Sequence, residues 1–378
     1  MSVLTAIEKE KIIANKGIYD DFDPAFTEAF VRHVMSLVND VYFRIKYIGF
    51  EESIERNNPD APVIIVSNHS GRSIPWDAMA FMSGLLRQFN YDASKVCRTL
   101  IVPTLSTLGP MVPYFIPNFW KKCGGIDASF HNFETMMHYP NANLMLYPEG
   151  VPGIGKGWNH KYELQAFSTS FIKMSLKYNT DIVPFATVNA EYVNPYMYNI
   201  PWVNRVMKKL FGIPFLPIGV LTLLLLMPWA YYFTFPAKMT FVRGKRIKRT
   251  ELSDKAYHEI EQEEIEAIRD EVQNQMQTEL NEAVDTHGET PYNWREFFKI
   301  VWQNRKYFPY YIPVTWPFLF SEFYLQWKKG EEIKMNYSWW NLIRLIWKRP
   351  LILAYFIPIL GWIPIMILSK KEAHLKEN

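Results

Sequence analysis

Apolar positions in the first half of the chain fall into short runs separated by stretches with a different period. Alternation over Val41 to Phe50 predicts a strand, and the β-branched run Val63-Ile64-Ile65-Val66 predicts a second one, buried on both faces. Thr99 to Pro103, Asn143 to Tyr147 and Asp181 to Val188 continue the series, and Lys238 to Gly244 reads as a later member. Between them, apolar residues recurring at three and four positions predict helices over Pro24 to Met35, Ala78 to Leu86, Phe130 to Met137 and Tyr162 to Tyr178. Strands alternating with helices predict an α/β fold, with a mixed, largely parallel central sheet flanked by helices. Sites in such sheets are built on loops at the carboxyl ends of strands.

Two long apolar blocks add a second theme. Gly212 to Ala237 carries no charged residue and is long enough to cross a bilayer, but Pro214, Pro217, Pro228 and Pro236 interrupt it. If the strand from Lys238 joins the sheet, both ends of the block lie on one side, which favours a segment dipping into one leaflet over a span. Pro350 to Leu368 is flanked by Lys348-Arg349 and Lys370-Lys371 and broken by Pro358, Gly361 and Pro364; its length favours a short span over a bent re-entrant helix. The expected organisation is an N-terminal helical segment (1–40), a catalytic domain with a membrane-inserting segment (41–250), an acidic helix (251–290) and a membrane-associated helical C-terminal appendage (291–378).

Charge sharpens this division. The net charge is only +3, yet Glu251 to Thr290 holds thirteen acidic residues against Lys255 and Arg269, leaving the remainder strongly basic. A basic body with 13 Trp, 22 Tyr and 26 Phe suits an anionic membrane surface, and no nucleic-acid motif accompanies it. A mean hydropathy of −0.13 excludes a polytopic transporter. The two cysteines, Cys97 and Cys123, have no CxxC spacing and imply a reducing compartment. The first residues lack a continuous apolar stretch of the kind that directs secretion, so the catalytic part is expected to be membrane-associated and to face the cytoplasm.

Candidate chemistry begins where the second strand ends, at Ser67-Asn68-His69-Ser70-Gly71-Arg72-Ser73-Ile74-Pro75-Trp76-Asp77. Imidazole titrates near neutrality, and a carboxylate within reach fixes its tautomer and raises its basicity. The alternative is a turn histidine followed by an Asp that caps a helix. Farther on, Tyr147-Pro148-Glu149-Gly150 follows another strand. A carboxylate there can accept hydrogen bonds from hydroxyls, and glycine permits close backbone approach, although Glu149 also fits a helix N-terminus. Gly153, Gly155 and Lys156 do not match the spacing of a phosphate loop, which rejects nucleotide hydrolysis.

Taken together, the block from Ser67 to Ala78 and the block from Leu146 to Lys156 resemble the first and third motifs of the glycerolipid acyltransferase family, which includes 1-acyl-glycerol-3-phosphate acyltransferases. Gly109 with Gly124 to Ser129, and Asp181-Ile182-Val183-Pro184, are similar to the second and fourth, and the likeness covers roughly residues 40 to 247. The resemblance implies acyl transfer from acyl-CoA or an acyl-carrier protein to a lipid hydroxyl, most simply lysophosphatidate to phosphatidate. It implies His69 as general base and Asp77 as its orienting carboxylate, with no cofactor or metal. Asn68, Arg72, Lys121, Lys122, Glu149, Gly150 and Lys156 are the expected substrate-side residues, Asn68 holding the turn and the cations meeting phosphate. Two departures bear on this. The shortest family form is His-x-x-x-x-Asp, whereas seven residues separate His69 from Asp77; and Val151 and Pro152 stand where an Arg usually follows Glu-Gly. Alternatives are therefore a non-phosphate acceptor (diacylglycerol, a fatty alcohol or another lysolipid) or a non-catalytic lipid-binding member of the fold.

Overall fold

A computed structural model describes residues 5–69, 74–211, 218–219 and 226–367. Its centre is a seven-stranded sheet built from β1 (Lys46–Ile48), β2 (Ile64–Ser67), β3 (Cys97–Ile101), β4 (Gly125–Asp127), β5 (Asn143–Leu146), β6 (Ile182–Val188) and β9 (Thr240–Arg243). The order is β1-β9-β6-β2-β5-β3-β4, and every pair is parallel except β6 with β9. A separate two-stranded ladder joins β7 (Met197–Tyr198) to β8 (Ile218–Gly219). The fold is mixed α/β with a largely parallel sheet, as the alternation of elements predicts.

β2, β5 and β6 are buried along their whole length, because helices cover both faces of the sheet. Val63 and Ile65 point into one core, shared with Trp76, Phe81, Leu85 and Trp316. Ile64 and Val66 point into the other, shared with Phe133, Phe171, Ile265 and Val272. The period of two along one strand thus feeds two cores. The acidic stretch supplies the helix Gln262–His287, whose apolar stripe of Ile265, Val272, Met276, Leu280 and Ala283 is buried while its charged face meets water.

Three expectations shift. Val41 to Phe43 is not strand but the end of a helical turn, Val38–Phe43, because all three side chains are buried with no alternation, and the turn ends at Arg44 in the left-handed region (φ 51°). β3 begins two residues earlier than the apolar run suggests. The helix expected from Tyr162 starts only at Ser170 and runs Ser170–Tyr178. In the irregular stretch before it, the amides of Leu164, Gln165 and Phe167 donate to the side chains of Gln277, Glu149 and Gln273, so tertiary partners replace helical ones.

Of the apolar blocks, residues 212–217, 220–225 and 368 lie outside the described residues. After the first block the chain enters β9 within the main sheet. The second is bent: a 3-10 helix Pro350–Phe356 gives way to a turn around Pro358 and a short helical stretch at 362–367. Among the described residues no helix is long and apolar enough to cross a membrane.

Candidate active site

β2 lies between β5 and β6, so the chain leaving its carboxyl end is flanked by the ends of two neighbours. Asn68 extends the pairing with its side chain: Nδ2 donates to the Thr187 carbonyl (3.1 Å) and Oδ1 accepts from the Thr187 amide (2.7 Å). A side-chain amide here does the work of a backbone partner, so the chain turns out of the sheet without stranding the backbone groups of β6. Ser67 Oγ, 2.9 Å from Thr187 Oγ1, adds a second tie.

His69 follows, buried, its ring stacked on Tyr147 with centroids 4.1 Å apart and planes 16° from parallel. Its Nδ1 lies 3.4 Å from Asp77 Oδ2, and the two side chains are only 7% and 1% exposed. Asp77 sits in the first turn of the helix Trp76–Gln88, where the positive end of the helix dipole favours a carboxylate. On the Asp77 side, the described end of the intervening stretch is anchored in the core. Ile74 and Trp76 are buried, and the Trp76 indole packs on Trp316 at 4.6 Å and Phe43 at 6.3 Å. Arg72, with residues 70–73, lies outside the described residues.

Glu149 closes the turn from the opposite side. It is 2% exposed, and its Oε1 accepts from the His69 amide while Oε2 accepts from the Gln165 amide, both at 2.7 Å. Both oxygens are held by backbone, so in this structure Glu149 positions His69 rather than facing an open acceptor site. Gly150 follows at φ 58°, a conformation that glycine adopts without strain. At Gly153 a Cβ would fall 2.6 Å from the Glu149 Cβ, so glycine is what lets the clamp approach this closely.

The lysines expected to meet phosphate are engaged elsewhere. Lys156 is buried, 3.4 Å from Glu191 Oε1, and donates to the Glu163 carbonyl (3.3 Å). Burial pushes the Glu191 carboxyl above its ordinary value, opposed by Lys156. Lys121 pairs with Asp127 at 2.9 Å and faces Asp21 at 3.7 Å, and Lys122 lies over the Phe26 ring. None of the three lines the main cavity.

That cavity, about 530 Å³, opens beside His69. β3 and β5 pair only from Cys97↔Asn143 to Thr99↔Met145; beyond that point Ile101 and Val102 on one side and Leu146 and Tyr147 on the other line the gap. Met79, Met82 and Leu86 of the helix that carries Asp77 form another wall, and Leu105, Phe119 and Phe133 extend it. Among the described residues no three His, Cys, Asp or Glu side chains gather as a metal site requires. Tyr147 and Thr187 are the site residues that sequence reasoning passed over. Tyr147 immediately precedes Pro-Glu-Gly, and that adjacency was the available signal; Thr187 holds Asn68 through its backbone, which leaves no signal in residue type, and its hydroxyl meets Ser67 only across the fold.

No protein-family model matches the chain. It is similar to an uncharacterized protein of Mycobacterium leprae, 27% identical over 199 residues (52% of this chain, 49% of that protein). An uncharacterized protein of Mycobacterium tuberculosis is 27% identical over 198 residues (52% and 51%). The chain spans about half the length of these curated relatives. Among solved structures it is similar to the 1-acyl-sn-glycerophosphate (LPA) acyltransferase PlsC of Thermotoga maritima, with a TM-score of 0.36 and 12% identity over 68% of this chain and 79% of that one.

Proposed function

We propose that the chain is an O-acyltransferase that moves a fatty acyl group from a thioester, acyl-CoA or acyl-carrier protein, to the hydroxyl of a lipid alcohol. The observation that carries this reading is a buried His69–Asp77 pair whose His69 lines a cavity of about 530 Å³ walled mainly by apolar side chains. A cavity of that size and character suits a hydrocarbon chain, with the thioester carbonyl held beside His69.

An alcohol is a weak nucleophile until its proton is removed as it attacks. With Nδ1 facing Asp77, the neutral imidazole carries its proton there and Nε2 is the base. Nε2 takes the hydroxyl proton as the alcohol oxygen bonds to the thioester carbonyl carbon. Asp77 stabilises the imidazolium so formed. The tetrahedral intermediate then collapses, the C–S bond breaks, and the proton on Nε2 passes to the leaving thiolate. The products are an ester and a free thiol, and no acyl-enzyme forms.

Lysophosphatidate is the simplest acceptor, but one observation favours an acceptor without phosphate, such as diacylglycerol, a fatty alcohol or another lysolipid. Lys121 and Lys156 are paired with carboxylates, and neither they nor Lys122 line the cavity.

The test is release of free thiol and formation of labelled ester by the purified full chain, given acyl-CoA with lysophosphatidate, diacylglycerol and a fatty alcohol in parallel. Loss of the orienting carboxylate from an analogous triad costs about 10⁴-fold, so Asp77→Asn and His69→Ala are expected to reduce turnover by at least about 1,000-fold while circular dichroism is unchanged. Full turnover by folded His69→Ala overturns the proposal.

A further inference from the structure

Amphipathic helices in a globular protein turn their apolar stripe inward. Two helices near the C-terminus carry a second stripe on the outside. In Trp294–Gln303, Phe297 packs against the core, yet Trp294, Phe298 and Trp302, spaced by four, are exposed, Trp302 to 71%. In Trp339–Lys348, Asn341 and Leu345 are buried while Trp340, Ile343 and Trp347 are exposed, to 76% and 83% for the two indoles. The Phe308 ring, 5.3 Å from Trp339, links the two stripes, and Tyr311 beside it reaches back to the Val301 carbonyl. Outward Trp at this density marks an interaction face.

The charges around the stripes select the partner. Arg295, Lys299, Arg305, Lys306 and Lys348 are exposed beside the indoles. Trp339–Lys348 has no acidic residue, and the one acid in Trp294–Gln303, Glu296, pairs with Lys238 at 2.6 Å. Indole favours the boundary between headgroups and acyl chains, and Lys or Arg beside it reaches up to anionic phosphates. A two-fold contact between copies would bring these basic patches face to face. The helix Pro201–Phe211 repeats the design on a separate element, with Trp202, Val206 and Leu210 exposed among Arg205, Lys208 and Lys209.

We propose that the outward Trp–basic face of helices Trp294–Gln303 and Trp339–Lys348 docks the protein laterally on an anionic lipid leaflet. The proposal stands apart from acyl transfer and is tested without turnover. The full chain is floated with vesicles of phosphatidylcholine, alone or mixed with phosphatidylglycerol, at low and high salt. Binding at least ten-fold tighter to the mixed vesicles, weakened by salt, is expected, with indole fluorescence quenched by brominated lipid. The variant Trp302→Ser/Trp340→Ser/Trp347→Ser should lose at least ten-fold in binding with an unchanged melting temperature. Lys299→Glu/Lys306→Glu should remove the preference for phosphatidylglycerol. Failure of the wild-type chain to bind either vesicle, or equal binding by the Trp variant, overturns the proposal. Concentration-dependent self-association that the Trp variant abolishes and vesicles do not displace also overturns it, assigning the face to a second copy.

Discussion

Replacing Glu149 with Gln separates two roles for this carboxylate. Its two oxygens accept backbone amides of His69 and Gln165, each at 2.7 Å, in a site 2% exposed to solvent. A hydrogen bond to a charged acceptor is worth about 1.5–3 kcal/mol net, and a buried donor left unpaired costs about 1–3 kcal/mol. Gln keeps one acceptor oxygen and turns an NH₂ toward the other amide, so one bond is lost and one amide is stranded. Relief of carboxylate desolvation offsets part of this, leaving a cost of about 3 kcal/mol. For a chain of 378 residues the unfolding entropy near 60 °C is about 0.8 kcal/mol per kelvin, so Tm should fall by about 4 °C. The released amide lets His69 drift, and a displacement of about 1 Å is enough to lower kcat by about 100-fold with little change in KM. Differential scanning calorimetry and steady-state kinetics on the same preparation provide the check. An unchanged Tm with a raised acceptor KM refutes the clamp and restores Glu149 as an acceptor-binding residue.

Further outcomes follow from neighbouring contacts. Gly153→Ala places a Cβ 2.6 Å from the Glu149 Cβ and should cost about 1–3 kcal/mol in urea denaturation while lowering kcat in parallel with Glu149→Gln. Lys156→Met leaves Glu191 buried without its cation and should cost about 3–5 kcal/mol, much of it regained in Lys156→Met/Glu191→Leu; a selective rise in KM for a phosphorylated acceptor would instead make Lys156 a ligand contact. His33 and His138 are held below the ordinary histidine value, chiefly by burial and next by Arg32 and Lys16 respectively. The folded chain binds fewer protons there than the unfolded one, so their contribution is complete above about pH 6.5 and is lost as pH falls through the lowered folded values. Urea midpoints measured from about pH 8 to 5 should therefore decline on the acid side, with a shallower decline in His138→Gln.

Most strand positions were legible in local pattern, β4 excepted, and the pattern marked the histidine and the following carboxylate as candidate partners without settling their contact. β2, β5 and β6 announce themselves as β-branched or apolar runs because burial on both faces demands such residues. The His69–Asp77 neighbourhood is readable because His69 follows β2 closely and Asp77 lies in the first turn of the next helix. Local pattern misled where burial came from all sides, as at Val41 to Phe43, or where backbone amides found side chains instead of a helix, as at Leu164 to Phe167. Residue types alone left Glu149 and Lys156 open as ligand contacts, since a carboxylate or ammonium meets a substrate or a protein group by the same chemistry. Only the tertiary structure decided which: Glu149 meets an amide eighty positions away at His69, and Lys156 meets Glu191. The chain by itself determined its periodicities and the chemical types at the turn. Folding decided which groups were already partnered, because hydrogen bonds and ion pairs depend on distances of a few ångströms between residues far apart in sequence.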